Sequence, residues 1–185
     1  MATNNNKIER SLIESCKKGD NIAQYTLYNK YTRAMYNLAY RMMNNREDAE
    51  DILQEAFTEA FRKLKTYRYE STFGAWLKTI VIHRCINQLR RKKKELFTNE
   101  FVDTIETDQI DDQDIKSDIK KVFESIEKLP DGYRIVFTLY LLEGYDHREI
   151  SKILGISEST SKSQYMRAKN SLRKQLAEEK LSWTN

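Results

Sequence analysis

The sequence predicts an all-α fold: two small helical domains joined by an acidic flexible linker. Three observations carry that prediction. The 185 residues include a single proline and five glycines, so long stretches are free of helix breakers. Apolar residues recur at three- and four-residue spacing through both halves. Charge comes in blocks. From Phe61 to Lys94 eleven Lys and Arg face one acid, from Glu95 to Lys120 nine acids face Lys116 and Lys120, and from Ser159 to Lys174 there are five bases and no acid. The net charge of +4 hides this order of basic, acidic and basic segments. A hydrophobic content of 39% beside 32% charged residues suits small cores rather than one large one.

Composition also removes whole classes of function. The start, "MATNNNKIER", lacks the apolar run of a secretion signal, and the longest apolar run, "IVFTLYLL" at Ile135 to Leu142, is far too short to span a membrane. A cytosolic protein without membrane insertion is expected. Cys16 and Cys85 lie far apart with no paired spacing, which argues against a disulfide framework or a zinc site. His83 and Cys85, two residues apart on a helix, do not share a face, and His147 has no neighbouring ligand. No glycine-rich phosphate loop, Ser/His/Asp set or supported carboxylate pair is present, so neither an enzyme nor a cofactor or metal is expected.

In chain order, Asp20 is placed to cap a long helix with the stripe Ala23, Leu27, Tyr31, Ala34/Met35, Leu38 and Met42. "NNRED" stops and restarts the chain, with Glu47 and Asp48 suited to the positive first turn of the next helix. That helix carries Ala49, Ile52/Leu53, Ala56, Phe57, Ala60, Phe61 and Leu64 on one face. A loop, "KTYRYES", leads to a helix from about Thr72 to Lys93, capped by Ser71 or Thr72, whose apolar positions include Phe73, Leu77, Ile80, Val81 and Leu89. Residues 95–117 lose periodicity and turn acidic, the pattern of a linker that is largely disordered when free. The domains are therefore drawn as 1–94 and 118–185.

In the second half, a helix runs to Leu129 and Pro130 restarts the chain at a first helical position. "RIVFTLYLL" is apolar around most of its circumference. It fits a buried helix, and helical neighbours on both sides favour that over a buried strand. Asp146 and Glu149 form a capping box ahead of Ile150, Ile153 and Leu154. Gly155 supplies a turn, Ile156 packs beneath it and Ser157 caps the next helix. This is the spacing of a helix-turn-helix, whose second helix enters the major groove. With Thr160, Tyr165 and Ala168 facing mainly inward, Ser159, Lys162, Ser163, Gln164, Arg167 and Lys169 remain for DNA. Gln suits adenine and Arg suits guanine, while Lys and Ser suit phosphates.

The segment "LPDGYRIVFTLYLLEGYDHREISKILGISESTSKSQYMRAKNSLRKQL" resembles the C-terminal, promoter-binding domain (sigma domain 4) of bacterial extracytoplasmic-function (ECF) RNA polymerase sigma factors. "YNLAYRMMNNREDAEDILQEAFTEAFRKL" and "YESTFGAWLKTIVIHRCINQLRRKK" resemble the N-terminal sigma domain 2 of the same family. Together they cover nearly all the chain beyond its first twenty residues, in the right order and with a linker between them. The resemblance implies that Asp48, Asp51, Gln54, Glu55 and Phe57 dock on the β′ clamp helices of core RNA polymerase. Domain 4 would meet the β flap. It further implies that Tyr67, Tyr69, Phe73, Trp76, Lys78, His83, Arg84, Asn87, Arg90 and Arg91 capture the melted non-template strand of the −10 promoter element, with a base flipped into the loop's pocket. The inward-leaning Thr160 joins the recognition-helix residues as a −35 contact.

Aromatics interleaved with cations are what a single strand demands, because rings stack on bases while cations follow the backbone. For Phe73 and Trp76 a place in the core is the alternative. Three positions depart from the family pattern: His83 stands where Asn is frequent, Asn87 where Asp is frequent, and Ser161 where Val is usual. The first two bear on promoter preference and Ser161 on packing of the turn. The 22 residues from Glu95 to Lys116 reach at most roughly 75 Å, enough for contacts two DNA turns apart. The family commonly works with an anti-sigma factor that masks both DNA surfaces, a partner the residues themselves do not specify. The competing reading is a stand-alone helix-turn-helix regulator. Such a regulator needs a ligand pocket or dimer interface in its N-terminal half, where this chain has an acidic helix beside a basic, aromatic one.

Overall fold

The computed structural model describes residues 2–96 and 115–182, and no strand occurs among them. Two compact units are present, Met1–Lys92 and Lys93–Asn185. Unit 1 holds α1 (Ala2–Lys17), α2 (Asn21–Met43), α3 (Arg46–Lys63) with a short 3-10 turn at Leu64–Thr66, and all but the last four residues of α4 (Phe73–Leu96). Unit 2 holds α5 (Ile115–Glu127), α6 (Asp131–Phe137), which runs on as a π turn over Thr138–Leu142, then α7 (His147–Leu154) and α8 (Glu158–Ser182). Residues 97–114, most of the expected linker, lie outside the described residues, and α5 begins inside the stretch assigned to it.

Local chemistry sets the boundaries in unit 1. The Asp20 carboxylate accepts from the Ile22 and Ala23 amides at 2.9 and 3.1 Å, filling two of the unpaired donors at the start of α2. Asn44 closes α2 in the left-handed region at φ 52°, and Asn45 opens α3 by accepting from the Asp48 amide at 2.9 Å. Two adjacent asparagines thus do the stopping and the restarting, as "NNRED" suggests. Thr72, not Ser71, caps α4, its hydroxyl accepting from the Ala75 amide. Ser71 instead offers its carbonyl to the Tyr67 hydroxyl at 2.6 Å.

The apolar stripes meet in one core. Ala49, Ala56 and Ala60 of α3 are fully buried, and their small side chains let α3 lie close against α2. From α4 come Phe73, Leu77, Val81, Ile82, Cys85 and Ile86, a broader face than the sequence stripe. Ile80, Leu89, Phe61 and Tyr31 are only half-buried, and Ala34 is exposed while Met35 is buried. Phe73, 1% exposed, packs its ring against Tyr31, Tyr67 and Trp76 at centroid distances of 5.3, 5.8 and 5.7 Å. Gly74 brings the first turn of α4 so near Tyr31 that an added Cβ would lie 2.8 Å from that ring.

An ionic seam joins α3 to α4. The Arg84 guanidinium reaches Glu55 at 2.8 Å and also bonds Glu59, while Lys92 pairs with Asp48. Lys63 and Arg84 together hold the Glu59 carboxyl below the usual carboxylate range.

In unit 2, Pro130 is the residue before the first helical position of α6 rather than that position itself. Its ψ of 144° is extended, and its carbonyl accepts from the Tyr133 and Arg134 amides at 2.9 Å. "RIVFTLYLL" is helical, with Ile135, Val136, Phe137 and Leu139 buried. It is not sealed all round, because Leu141 and Leu142 are exposed where the π turn ends. Arg134 is buried inside this apolar run. It donates to the Leu129 carbonyl at 3.0 Å and to Asp131 at 2.7 Å, so the guanidinium fastens the corner between α5 and α6. Ile126, Leu129, Phe137, Ala168 and Leu172 form the core between α5, α6 and α8.

Two outcomes test this packing. Phe73→Ala should lower the free energy of unfolding by about 3–5 kcal/mol, read by urea denaturation, whereas Phe73→Leu should cost far less. A small loss for Phe73→Ala would mean the ring is not a core element. Glu59 gives a pH dependence. A depressed folded-state pKa stabilises above the unfolded value of about 4.3, and that stabilisation is lost as pH falls through the folded value. The stability gap between the native protein and Glu59→Gln should therefore be flat from about pH 6 to 8 and close below about pH 4.

Candidate nucleic-acid and protein-docking surfaces

On α3 the spacing that buries alanines on one side presents acids and amides on the other. Glu47, Asp51, Gln54, Glu55 and Thr58 are exposed along a single face. Two expected docking residues sit differently. Phe57 is 3% exposed and packs against the tilted ring of Tyr28, with centroids 4.6 Å apart, so it lies beneath the exposed face rather than on it. Asp48 is largely covered and paired with Lys92. Arg84, expected on the DNA side, lies between Glu55 and Glu59 at the edge of this acidic face, where two carboxylates already balance its charge.

The loop and the start of α4 form a second surface. Tyr67 and Phe73 turn inward, 5% and 1% exposed, and Trp76 packs half-buried on Tyr67 at 5.1 Å. Core membership for Tyr67 and Phe73 corrects the expectation of free stacking rings: the hydrophobic gain of burying a phenyl group exceeds that of leaving it at the surface. Outward, Thr79, His83, Asn87, Arg90 and Arg91 follow one another along the open side of α4, with Lys78 half-buried at its edge. Thr79 was not singled out from sequence, although its position one turn before His83 was a sufficient signal. Cys85 points inward from the same helix, and burial pushes its thiol up to about 12.

Tyr69 is the ring left at the loop surface. Its backbone adopts φ +63°, a left-handed conformation uncommon for a residue with a side chain. Three residues of α1 reach it. Glu14 accepts its hydroxyl proton, and the Lys17 ammonium and Arg10 guanidinium lie 4.5 and 4.7 Å from the ring centroid. Burial, then the Glu14 contact, pushes the Tyr69 phenol up to about 12, and the same contact lowers Glu14. Beside Tyr69 an open cleft of about 440 Å³ lies between α1 and the loop. Sequence reasoning missed α1 altogether, because no local pattern announces which distant loop a polar helix will touch.

In unit 2 the expected helix-turn-helix geometry is present. The Asp146 carboxylate accepts from the Glu149 amide at 2.7 Å while Glu149 accepts from the Asp146 amide at 2.9 Å. Gly155 turns the chain at φ +70°, and the Ser157 hydroxyl accepts from the Thr160 amide at 3.0 Å. Ile156 is half-buried at the turn. Ser161 is fully buried and its hydroxyl meets His147 Nδ1 at 2.9 Å, a polar tie between α7 and α8 at the position where the resemblance leads one to expect an apolar contact. His147 in turn stacks on Tyr140 at 4.4 Å.

Along α8, Ser159, Lys162, Ser163, Met166, Arg167 and Asn170 form the open face. Met166 and Asn170 were not anticipated, though both follow from adding three or four to Ser163 and Arg167. Thr160 and Lys169 are half-buried at its margins, and Glu158, just before the acid-free stretch, pairs with Lys162 at 2.6 Å. Gln164 is turned toward α6, its amide 3.2 Å from where a Cβ on Gly132 would stand.

Comparison with known proteins follows this division. Residues 27–95 match the sigma-70 region 2 family and residues 119–172 the sigma-70 region 4 family. The ECF RNA polymerase sigma factor SigW of Bacillus subtilis is 32% identical over 176 residues, covering 89% of this chain and 94% of its own length. The ECF RNA polymerase sigma-E factor of Escherichia coli K12 is 28% identical over 177 residues, covering 89% and 92%. Among solved structures, the sigma factor RpoE of Bartonella quintana, in complex with the anti-sigma factor NepR, has a similar fold. Its TM-score is 0.61 at 21% identity, over 83% of this chain and 96% of that one. The chain belongs to the ECF family of RNA polymerase sigma factors, which direct polymerase to promoters at the start of transcription.

Proposed function

We propose a division of labour between the two units. The exposed face of α3, with Asp51, Gln54 and Glu55 at its centre, docks on core RNA polymerase at the β′ clamp helices. Asp48, through Lys92, and Phe57, from within, hold that face in shape. The loop at Tyr69 and the outer side of α4, with Trp76, Lys78, His83, Asn87, Arg90 and Arg91, receive the single strand of the −10 element. The open face of α8, with Ser159, Lys162, Ser163 and Arg167, enters the major groove at the −35 element, flanked by Thr160 and Lys169. Gln164 has a positioning role against Gly132, and Arg84 a similar one against α3.

One observation carries this reading: in unit 1 the exposed acids cluster on α3 (Glu47, Asp51 and Glu55) and the exposed bases Arg90 and Arg91 on α4. An acidic face repels phosphate and suits a protein groove, whereas a basic, partly aromatic face suits a melted strand. No reaction is catalysed, because binding energy from stacking and phosphate contacts offsets the cost of unpairing. Residues 1–94 then serve as sigma domain 2, 118–185 as sigma domain 4 meeting the β flap, and 95–117 as an acidic connection that repels DNA. The site of action is the cytoplasm. An anti-sigma factor, as in the Bartonella complex, is the regulator this reading includes for the present chain.

Asp51→Arg should weaken binding to core polymerase about tenfold or more while leaving binding of the isolated protein to −35 duplex unchanged. Equal loss in both assays would remove α3 from the docking role. Arg167→Ala should cost about 1–3 kcal/mol at a −35 duplex and relax preference at one base pair, with core binding intact. Uniform loss across all duplex sequences would make Arg167 a phosphate contact only.

A further inference from the structure

We propose that Ser161 and His147 form a specificity-determining positioning pair: their hydrogen bond sets the rotation at which the first turns of α8 face DNA, and so decides how sharply −35 bases are told apart. The inference rests on the reading that α8 enters the major groove at the −35 element, and it gives a role to two residues that touch no base.

The way α8 is seated carries the argument. Its inward stripe runs Ser161, Gln164, Tyr165, Ala168 and Leu172. The later members, Ala168 and Leu172, belong to the core with Ile126, Leu129 and Phe137, and Tyr165 packs half-buried against it. From Glu158 to Arg167, Ser161 is the one fully buried residue. At roughly 1.5 Å per residue, it lies about 10 Å along the axis from Ala168. The end of α8 that reads DNA therefore projects beyond the apolar core. A hydroxyl, an amide and a ring steady it there. Ser161 Oγ meets His147 Nδ1 at 2.9 Å, the Gln164 amide lies beside Gly132, and Tyr165 packs on Tyr140 with centroids 4.5 Å apart.

His147 is the fixed side of the pair. It is the first residue of α7, directly after Asp146, whose capping box with Glu149 closes that helix end. Its ring stacks on Tyr140 at 4.4 Å with 10° between the planes, and Tyr165 stands edge-on at 5.8 Å. The ring thus presents Nδ1 in one direction. Apolar packing is largely non-directional, whereas a hydrogen bond weakens steeply once its angle or length is off. At a side-chain radius of about 5–6 Å, a rotation of about 10° carries the outer atoms by about 1 Å. That displacement spoils a bidentate pair between Arg167 and guanine, while a phosphate contact made by flexible Lys162 survives it. Loss of the tie should blunt base reading and spare phosphate binding.

The test uses the full chain assembled with core polymerase, on promoter duplexes that differ only at the −35 element. The native assembly should discriminate about tenfold at the base pair whose preference Arg167→Ala relaxes. Ser161→Ala removes the hydroxyl without adding bulk and should lower that discrimination to about twofold, with the salt dependence of binding and the affinity for core unchanged. Ser161→Thr keeps the hydroxyl and should keep the native discrimination. His147→Asn retains a polar atom in the place of Nδ1 and should keep most of it. His147→Phe retains the stack on Tyr140 alone and should lose as much as Ser161→Ala does. Combining Ser161→Ala with His147→Phe should cost no more than either change by itself.

Native discrimination in Ser161→Ala, or equal losses in His147→Asn and His147→Phe, overturns the role of the tie and leaves α8 as the −35 reader. A salt dependence that falls together with discrimination means that α8 has loosened as a whole, which overturns it too. If the native assembly tells no −35 base from another, the −35 reading itself fails and this inference falls with it. Thermal unfolding separates loss of direction from loss of fold. Should Ser161→Ala unfold early, the contrast between His147→Asn and His147→Phe decides alone.

Discussion

Burial of the Phe73 ring is the constraint on which the rest of unit 1 depends. The ring sits at the first residue of α4 and touches Tyr31 of α2 as well as Tyr67 in the loop, so one side chain fixes where α4 starts and where the loop must return. Gly74 follows from it, since a Cβ there would lie 2.8 Å from the Tyr31 ring and force that ring to move. With Tyr67 drawn into the same cluster, the residues between are forced outward, and Tyr69 emerges at the surface in a left-handed conformation. The loop is thereby built on a packed aromatic base. Loops hold specific shapes best when rigid elements anchor both ends.

The second organising force is electrostatic. Unit 1 places carboxylates on α3 and cations on α4, and joins the two helices with Arg84 and Lys92 along their seam. These pairs are partly covered and networked, which gives them more weight than isolated surface pairs carry. They also separate two surfaces of opposite sign. Under the proposed division of labour, such a separation adds specificity, because a carboxylate-rich surface repels phosphate and a cationic one attracts it.

Unit 2 solves a different problem: holding the long helix α8 steady with a small core. Its capping box, glycine turn and serine cap fix the two helix ends that meet at the turn. The buried Ser161 would be a liability if unpaired. Its bond to His147, itself stacked on Tyr140, converts it into a directional tie between α7 and α8. Such a tie specifies one crossing geometry more tightly than an apolar contact of the same size.

The sequence by itself determined the helices, their caps and the charge blocks, because each is a matter of residues within a few positions of one another. Asp20, Asn45, Asp146 and Gly155 act on their own neighbours, and the apolar stripes repeat at the period of the helix. The helix-turn-helix and the family were legible for the same reason. What only the tertiary structure decided was which rings and charges remain available. Phe57, Tyr67 and Phe73 are aromatic like Tyr69, yet packing buries the first three and leaves Tyr69 half-buried at the edge of the loop. Arg84 and Gln164 look like nucleic-acid contacts until the fold sets carboxylates beside one and Gly132 beside the other. The packing of α1 on Tyr69 joins residues more than fifty apart in the chain, Glu14 and Lys17 with Tyr69. Local pattern cannot encode such a meeting; it arises only when separate apolar faces close on a common core and carry their polar neighbours with them.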